Sequence, residues 1–316
     1  MESTFGTSAY GGDGWSPRTL SVAQELGTVW ARCGIDSEWG ALKAVVVHRP
    51  GPELAASADP GAVQMLAPLD VALAASEHDR LAKRFRELGV TVHYADPPDI
   101  PNPNQMFCAD LMFATPEGVI LARPASTVRA GEERVIARRL ADIGVPILRS
   151  VSGRGTFEGA DAMWIDASTV VIGIGLRTNA YGAGQVAESL QGLGVDVLLV
   201  DLPFGTMHLM GMFRTVARDL SIAWPRRTPH RLVEALRERD VQVAFLPDAQ
   251  DTVMNQALNF VTVGERRIVM KSSVPPFASF YASLGVECIE LAADELVKAA
   301  GGFGCLTGVL ERERVG

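Results

Sequence analysis

Five times along this chain a helical stretch is cut off by a residue suited to left-handed backbone, and a short apolar run follows at once. The junctions are Leu-Gly-Val-Thr-Val from Leu88, Ile-Gly-Val-Pro-Ile from Ile143, Leu-Gly-Val-Asp-Val from Leu193, Arg-Asp-Val-Gln-Val from Arg239 and Leu-Gly-Val-Glu-Cys from Leu284. Successive starts lie 55, 50, 46 and 45 residues apart. Glycine, or Asp240 in the fourth unit, stands where a helix C-terminus wants a left-handed residue, and the alternating branched residues after it read as a strand. Upstream of each junction lies a second apolar strand followed by a turn and a helix. These strands start at Ala44, Gly118, Val170, Leu220 and Arg267. The repeating unit is therefore strand, helix, strand, and five such units can close into a ring around one pocket. An open, doubly wound sheet is the competing arrangement. No glycine-rich nucleotide loop supports it, because Gly173 and Gly175 lack the third glycine of a dinucleotide fingerprint.

Residues 1–35 precede the first repeat and read as an extension, with a helix around Ser21 to Arg32, packed on a single domain over 36–316. Of the 316 residues, 47% are apolar, which is ample for a core. The net charge of −8 and a pI near 5.2 argue against nucleic-acid or anionic-membrane partners and suit a small cation better. The opening stretch lacks the pattern of a secretory signal, and no apolar run approaches the roughly 20 residues that span a bilayer. Cys33, Cys108, Cys288 and Cys305 lie far apart without a Cys-x-x-Cys pair, which fits a reducing, cytoplasmic setting. No metal or other cofactor is implied, since His48, His78, His93, His208 and His230 show no ligand spacing. Self-association is left open.

Four junctions concentrate polar residues that regular strands do not need: Asn104 to Asp110, Phe157 to Asp161, Met207 to Met210, and Gly301 to Thr307. In a ring these converge on one end of the axis. Cys305 follows a glycine-rich turn, so it reads either as an exposed nucleophile or as a small buried hydrophobe. His208 sits in an apolar stretch, where a core histidine is the ordinary outcome unless a carboxylate such as Glu158 holds and charges it. Asp110 and Asp161 lie at strand ends in apolar surroundings, so each either pairs with an internal arginine or awaits a cationic ligand.

Asn-x-x-Phe-x-x-Asp at Asn104, Glu-Gly-Ala-Asp at Glu158, Met-His-Leu at Met207 and Gly-Gly-x-x-Cys-Leu-Thr at Gly301 resemble, in order and spacing, the guanidine-modifying superfamily. That superfamily comprises arginine deiminases, dimethylarginine dimethylaminohydrolases and amidinotransferases. The opening Ser37-Glu38-Trp39-Gly40 with His48-Arg49-Pro50-Gly51 looks like the same family's first strand, and the resemblance covers roughly residues 34 to 312. It implies an α/β fold, the five-bladed pentein-type propeller of ββαβ repeats around a central pocket. It further implies a cytoplasmic enzyme that cleaves a guanidinium C–N bond of arginine or an N-substituted relative, through a covalent amidino-thioether on Cys305. His208 is then the acid and base, and Glu158 its support. Asp110, Asn104 and Phe107 line the substrate site, Asp161 holds the α-amino end, and Arg129 and Arg177 receive an α-carboxylate. The partner is a small guanidine, and the product a citrulline-type ureide plus ammonia or an amine. Transfer of the amidino group to an amine is the alternative reading, and a binding protein on a degenerate scaffold a third. Met210 stands where deiminases and amidinotransferases have an aspartate, and Ala109 and Ala160 replace other family residues. These departures imply a looser grip on a bare guanidinium and more room for an apolar N-substituent.

Overall fold

The computed structural model describes residues 4–247, 256–272 and 275–316. Residues 1–3 of the expected extension lie outside that set. The described residues form fifteen strands in five three-stranded sheets. A short helix α1 (Val22–Glu25) precedes β1 (Leu42–Val47), α2 (Val71–Glu87) and β2 (Thr91–Tyr94). The second unit holds β3 (Met112–Thr115), β4 (Gly118–Leu121), α3 (Glu132–Asp142) and β5 (Ile147–Ser150), and the third β6 (Ala162–Asp166), β7 (Thr169–Ile174), α4 (Ala180–Gly192) and β8 (Asp196–Asp201). The fourth holds β9 (Phe213–Ala217), β10 (Leu220–Ala223), α5 (His230–Arg237) and β11 (Gln242–Phe245). The fifth holds β12 (Val261–Gly264), β13 (Arg267–Lys271), α6 (Pro275–Ser283) and β14 (Glu287–Leu291), before α7 (Phe303–Leu306) and β15 (Gly308–Arg312).

The helix stops are uniform at atomic detail. Gly89, Gly144, Gly194, Asp240 and Gly285 have φ of 79°, 77°, 77°, 57° and 71°. The valine after each donates its N–H back across the turn, as Val90 does to the Phe85 carbonyl at 2.9 Å and Val286 to that of Tyr281 at 3.0 Å. This bond satisfies a carbonyl that the helix end leaves open and turns the chain into the next strand. The strand pairs parallel with the one before the helix, since a parallel partner needs a crossover of that length.

Each middle strand also pairs antiparallel with a strand not marked by the repeat pattern: β3, β6, β9, β12 and, from the far end of the chain, β15 with β1. The unit is thus ββαβ, with one strand more than the hydrophobic pattern alone reveals. The strands after the helices are partly exposed, whereas β4 and β10 are buried along their length, as befits edge and middle positions. Contacts run from β15 to β3, from β3 to the turn before β6, from β6 to the turn before β9, from β9 to β12 and from β12 to β1. Each sheet therefore touches the next, and the last returns to the first.

The expected helix from Ser21 to Arg32 is only Val22–Glu25. Ser21 and Gln24 form a reciprocal N-terminal cap, but Gly27 takes φ 85° two residues after the helix ends. The chain turns there, and Thr28 hydroxyl bonds the Glu25 carbonyl. No described helix is long and apolar enough to cross a membrane.

Candidate active site

The polar residues singled out above share one structural address. Asp110 lies in the tight turn Cys108–Leu111 before β3, Glu158 opens the turn Gly159–Asp161 before β6, His208 opens the turn Leu209–Gly211 before β9, and Cys305 lies in α7 before β15. These turns pack on one another, and the glycines in them allow close approach. A side chain at Gly159 would run into the Met112 carbonyl at 2.1 Å, and one at Gly301 into the Phe107 ring at 2.4 Å. The equivalent place in the remaining unit, just before β12, belongs to Asn259. Its side chain accepts from the Cys305 backbone N–H at 3.0 Å and donates to Cys305 Sγ at 3.0 Å. Asn259 was not among the expected residues; the fivefold repetition was the signal that could have found it.

His208 Nε2 lies 2.7 Å from Glu158 Oε2, and its Nδ1 lies 3.9 Å from Asp110 Oδ1. Both carboxylates are also held by arginine. Arg129 Nη1 reaches Asp110 Oδ2 at 2.7 Å and Glu158 Oε2 at 3.3 Å, Arg129 Nη2 reaches Glu132 Oε2 at 2.9 Å, and Arg177 Nη1 reaches Glu158 Oε1 at 3.3 Å. All of these residues are buried. Asp110 Oδ1 is buried without a hydrogen-bond partner, which is costly unless a ligand completes it.

Burial disfavours a charged imidazole, but Asp110, Asp161 and Glu158 outweigh it and raise His208 to about 9. Burial pulls Glu158 the other way, yet its bond to His208 and the charges of His208, Arg129 and Arg177 hold it well below the usual carboxylate range. Burial, with the nearby Asp110 charge, pushes the Cys305 thiol up to about 11, against smaller opposing effects of Asn259, the Gly302 backbone and Arg214. These shifts favour an imidazolium, an ionised Glu158 and a protonated thiol at neutral pH.

Cys305 and His208 line one cavity of about 300 Å³, with Met207, Met210, Trp224 and Leu258 among its walls. A second void of about 20 Å³, room for roughly one water, lies against Asn104, Phe107, Asp110, Arg129 and Arg177. Met207, Ala300 and Cys305 border both, so the sulfur stands between an apolar chamber and a charged one. Ala300 adopts φ 68°, a backbone region unfavourable for alanine, at the partition itself.

Of the expected site residues the structure brings Cys305, His208, Glu158, Asp110, Arg129, Arg177, Asn104 and Phe107 together. Asn104 donates to the Val63 carbonyl at 2.8 Å, and the Arg129 guanidinium lies 5.9 Å from the Phe107 ring centre. Two expected roles change. Asp161 borders neither cavity: fully buried, it accepts from the Thr178 hydroxyl at 2.6 Å and from the Leu209 N–H at 3.0 Å, fixing the turn that carries His208. Arg129 borders the small void but is already paired with Asp110, Glu132 and Glu158, so a carboxylate arriving there would compete with three acidic side chains. Asp110, Glu158 and His208 come within metal-ligating distance of one another. Two of those carboxylate oxygens already face Arg129, so an added divalent ion would meet a cation at contact distance.

Residues 100–226 match the family model described as arginine deiminase. The chain is 27% identical over 267 residues to the N(G),N(G)-dimethylarginine dimethylaminohydrolase of Streptomyces coelicolor, covering 84% of this chain and 96% of that one. It is 26% identical over 251 residues to the corresponding protein of Mycobacterium tuberculosis, covering 78% of each. Among solved structures, the dimethylarginine dimethylaminohydrolase of Pseudomonas aeruginosa, complexed with citrulline, superposes with a TM-score of 0.70 at 22% identity, over 86% of this chain and all of that one. The N-terminal domain of a cyanobacterial arginine dihydrolase gives a TM-score of 0.74 at 20% identity, over 86% of this chain and 98% of that one. An amidinotransferase of Microseira wollei gives 0.70 at 16% identity, over 88% and 96%.

Proposed function

We propose that this chain, a relative of the guanidine-modifying enzymes, is a cysteine-dependent hydrolase of the guanidinium C–N bond of arginine or an N-substituted, arginine-like compound. The observation that carries this reading is a single one: Cys305 and His208 face the same cavity, with the imidazole bonded to a buried carboxylate. The cyclic order of contacts among the five sheets supports the five-bladed α/β propeller as the frame, with residues 36–316 as one catalytic domain and 1–35 as an extension.

The chemistry follows from the resting charges. A bound guanidinium brings a positive charge to the sulfur, so the thiol proton leaves to solvent as the cation enters. Asp110 Oδ1 accepts one guanidinium N–H and is thereby satisfied. Arg177, engaged with Glu158 through Nη1 alone, receives the substrate's carboxylate. Sγ then attacks the guanidinium carbon, and the charged His208 gives its proton to the departing nitrogen, which leaves as ammonia or an amine. An amidino-thioether remains on Cys305. The imidazole, now neutral and still oriented by Glu158, takes a proton from water. The hydroxide adds to the amidino carbon, the C–S bond breaks, and a ureido product is released.

Delivery of the amidino group to an amine differs only in that last step. The size of the cavity beside Cys305 favours keeping this second reading, since an acceptor larger than water fits there. Incubation of the purified protein with arginine, methylated arginines and agmatine tests the proposal. A ureido product that disappears in Cys305→Ser is expected, and its absence with every substrate sinks the reading. Products formed only when an amine is supplied would select transfer over hydrolysis.

A further inference from the structure

The apolar chamber beside Cys305 has a cationic feature that guanidine hydrolysis does not use. Arg227 lines it. Its guanidinium stacks 5.1 Å from the Trp224 ring centre, and Nη1 makes only two long bonds, 3.4 Å to the Phe204 carbonyl and 3.4 Å to the Thr206 hydroxyl. Among the described residues no carboxylate pairs with it. The contrast with Arg129, whose charge is met by Asp110, Glu132 and Glu158, and with Arg177, held by Glu158, is direct. A half-buried arginine fixed by an aromatic face and two neutral oxygens, with the rest of its fork unpaired, is a built receiver for a planar anion.

The rest of the chamber limits what could bring that anion. Besides the polar Thr206, Gln256 and Asn259, its walls are Met207, Met210, Met212, Ala257 and Leu258, which offer an alkyl chain dispersion and desolvation. Its 300 Å³ is at the lower end of small-molecule pockets, larger than a methyl or dimethyl group requires. Methionines adapt to an unbranched chain better than branched residues would. His208, the proton donor to the departing nitrogen, lines this chamber and not the smaller void, so a substituent on that nitrogen lies in the chamber.

We propose that the substrate carries, on the departing guanidine nitrogen, a short aliphatic chain ending in a carboxylate or comparable anion, which seats on Arg227. This rests on the hydrolase reading and refines its substrate class. The balanced reaction takes an N,N′-disubstituted guanidinium and water to a monosubstituted urea and an alkylammonium that retains the acid, so the second product is an amino acid rather than a simple methylamine.

The test uses three arginines substituted on a terminal nitrogen with carboxypropyl, carbamoylpropyl or butyl groups, which differ little in size but only the first of which is charged. In the wild-type enzyme, kcat/KM for the acid exceeds that for the amide by about 10–100-fold, the factor set by one charge-assisted pair. In Arg227→Met that ratio collapses toward one, and in Arg227→Lys part of it returns. Equal rates on acid and amide in the wild type overturn the proposal. So does a preference that survives Arg227→Met. Calorimetric binding of the same three compounds to Cys305→Ser separates this result from the hydrolase reading. Discrimination in binding without turnover by the wild type would refute hydrolysis and leave the anion site standing, whereas turnover without discrimination would do the reverse.

Discussion

Asn259→Ala isolates what the fifth junction contributes to the nucleophile. Asn259 makes two bonds to one residue, holding the Cys305 N–H through Oδ1 and the sulfur through Nδ2, each at 3.0 Å. The sulfur bond strengthens when the thiol ionises, because a donor facing an anion is worth about 1.5–3 kcal/mol against about 1 kcal/mol for a neutral acceptor. Loss of that difference, taken as about 1–2 kcal/mol, moves the ionisation of Cys305 upward from about 11 and lowers the thiolate fraction by roughly 5–30-fold at any pH below it. Since the thiolate is the reactive form, alkylation of Cys305 by iodoacetamide at pH 8 slows by the same factor. The other cysteines serve as internal standards, read by mass spectrometry after short exposure. The thermal melt should change by only a few degrees, because Asn259 is partly exposed and its removal opens no large cavity. Unchanged labelling in a folded Asn259→Ala protein would show that the amide merely caps the turn and would falsify its assignment as a thiolate support. Asn259→Asp separates the two bonds further: it retains an acceptor for the N–H but sets a negative charge beside the sulfur, so labelling falls below that of the alanine variant.

The His208 pair makes a prediction in pH. His208 is raised from 6.5 to about 9, so the stabilisation from its charged pairing is complete below pH 6.5 and lost as pH rises through 9. The melting temperature therefore falls between pH 6.5 and 9.5, and kcat falls on the same limb as the general acid is lost. In Glu158→Gln both limbs move to lower pH, measured by a thermal-shift series and a pH–rate profile, and limbs that stay in place contradict the assignment. Asp161→Ala tests the changed role of that residue. It strands a buried hydroxyl and a buried N–H, costing about 2–4 kcal/mol, and so lowers the melting temperature and kcat through the His208 turn. A rise confined to KM, with the melt intact, would return Asp161 to the substrate site.

The helix stops were legible because they are local. A glycine or aspartate in left-handed backbone, an apolar residue after it and a bond spanning six residues are all written within one short segment, and the five junctions agree to within a few tenths of an ångström in that bond. The extra strand of each unit was not legible from pattern. Met112–Thr115 and Ala162–Asp166 are buried almost throughout, so they carry no alternation and merge with the polar motif before them. The N-terminal helix misled for a related reason: a good cap at Ser21 announces a helix, but Gly27 decides where it ends.

Within the site, what could be read was which residues are chemically unusual, and what could not was how they divide the charge. Asp110 in apolar surroundings had two outcomes open to it, pairing with an internal arginine or waiting for a cation, and the structure combines them. One of its oxygens is spent on Arg129 and the other is left unpartnered beside His208. The partners of Arg129 come from three separate segments, and no sequence pattern sets the distances among them. The same division explains why a residue as inconspicuous as Asn259 matters. Asp110, Asp161 and Glu158 favour the charged imidazole, while burial and the charge of Asp110 work against ionising the nearby thiol. A neutral amide can support the sulfur without adding to that charge or displacing the proton from His208. A cation placed there permanently would activate the thiol but repel the guanidinium it must attack. A site that keeps its sulfur protonated until a positive substrate arrives therefore uses an amide at this position, with Arg129 and Arg177 set across the partition in the smaller void.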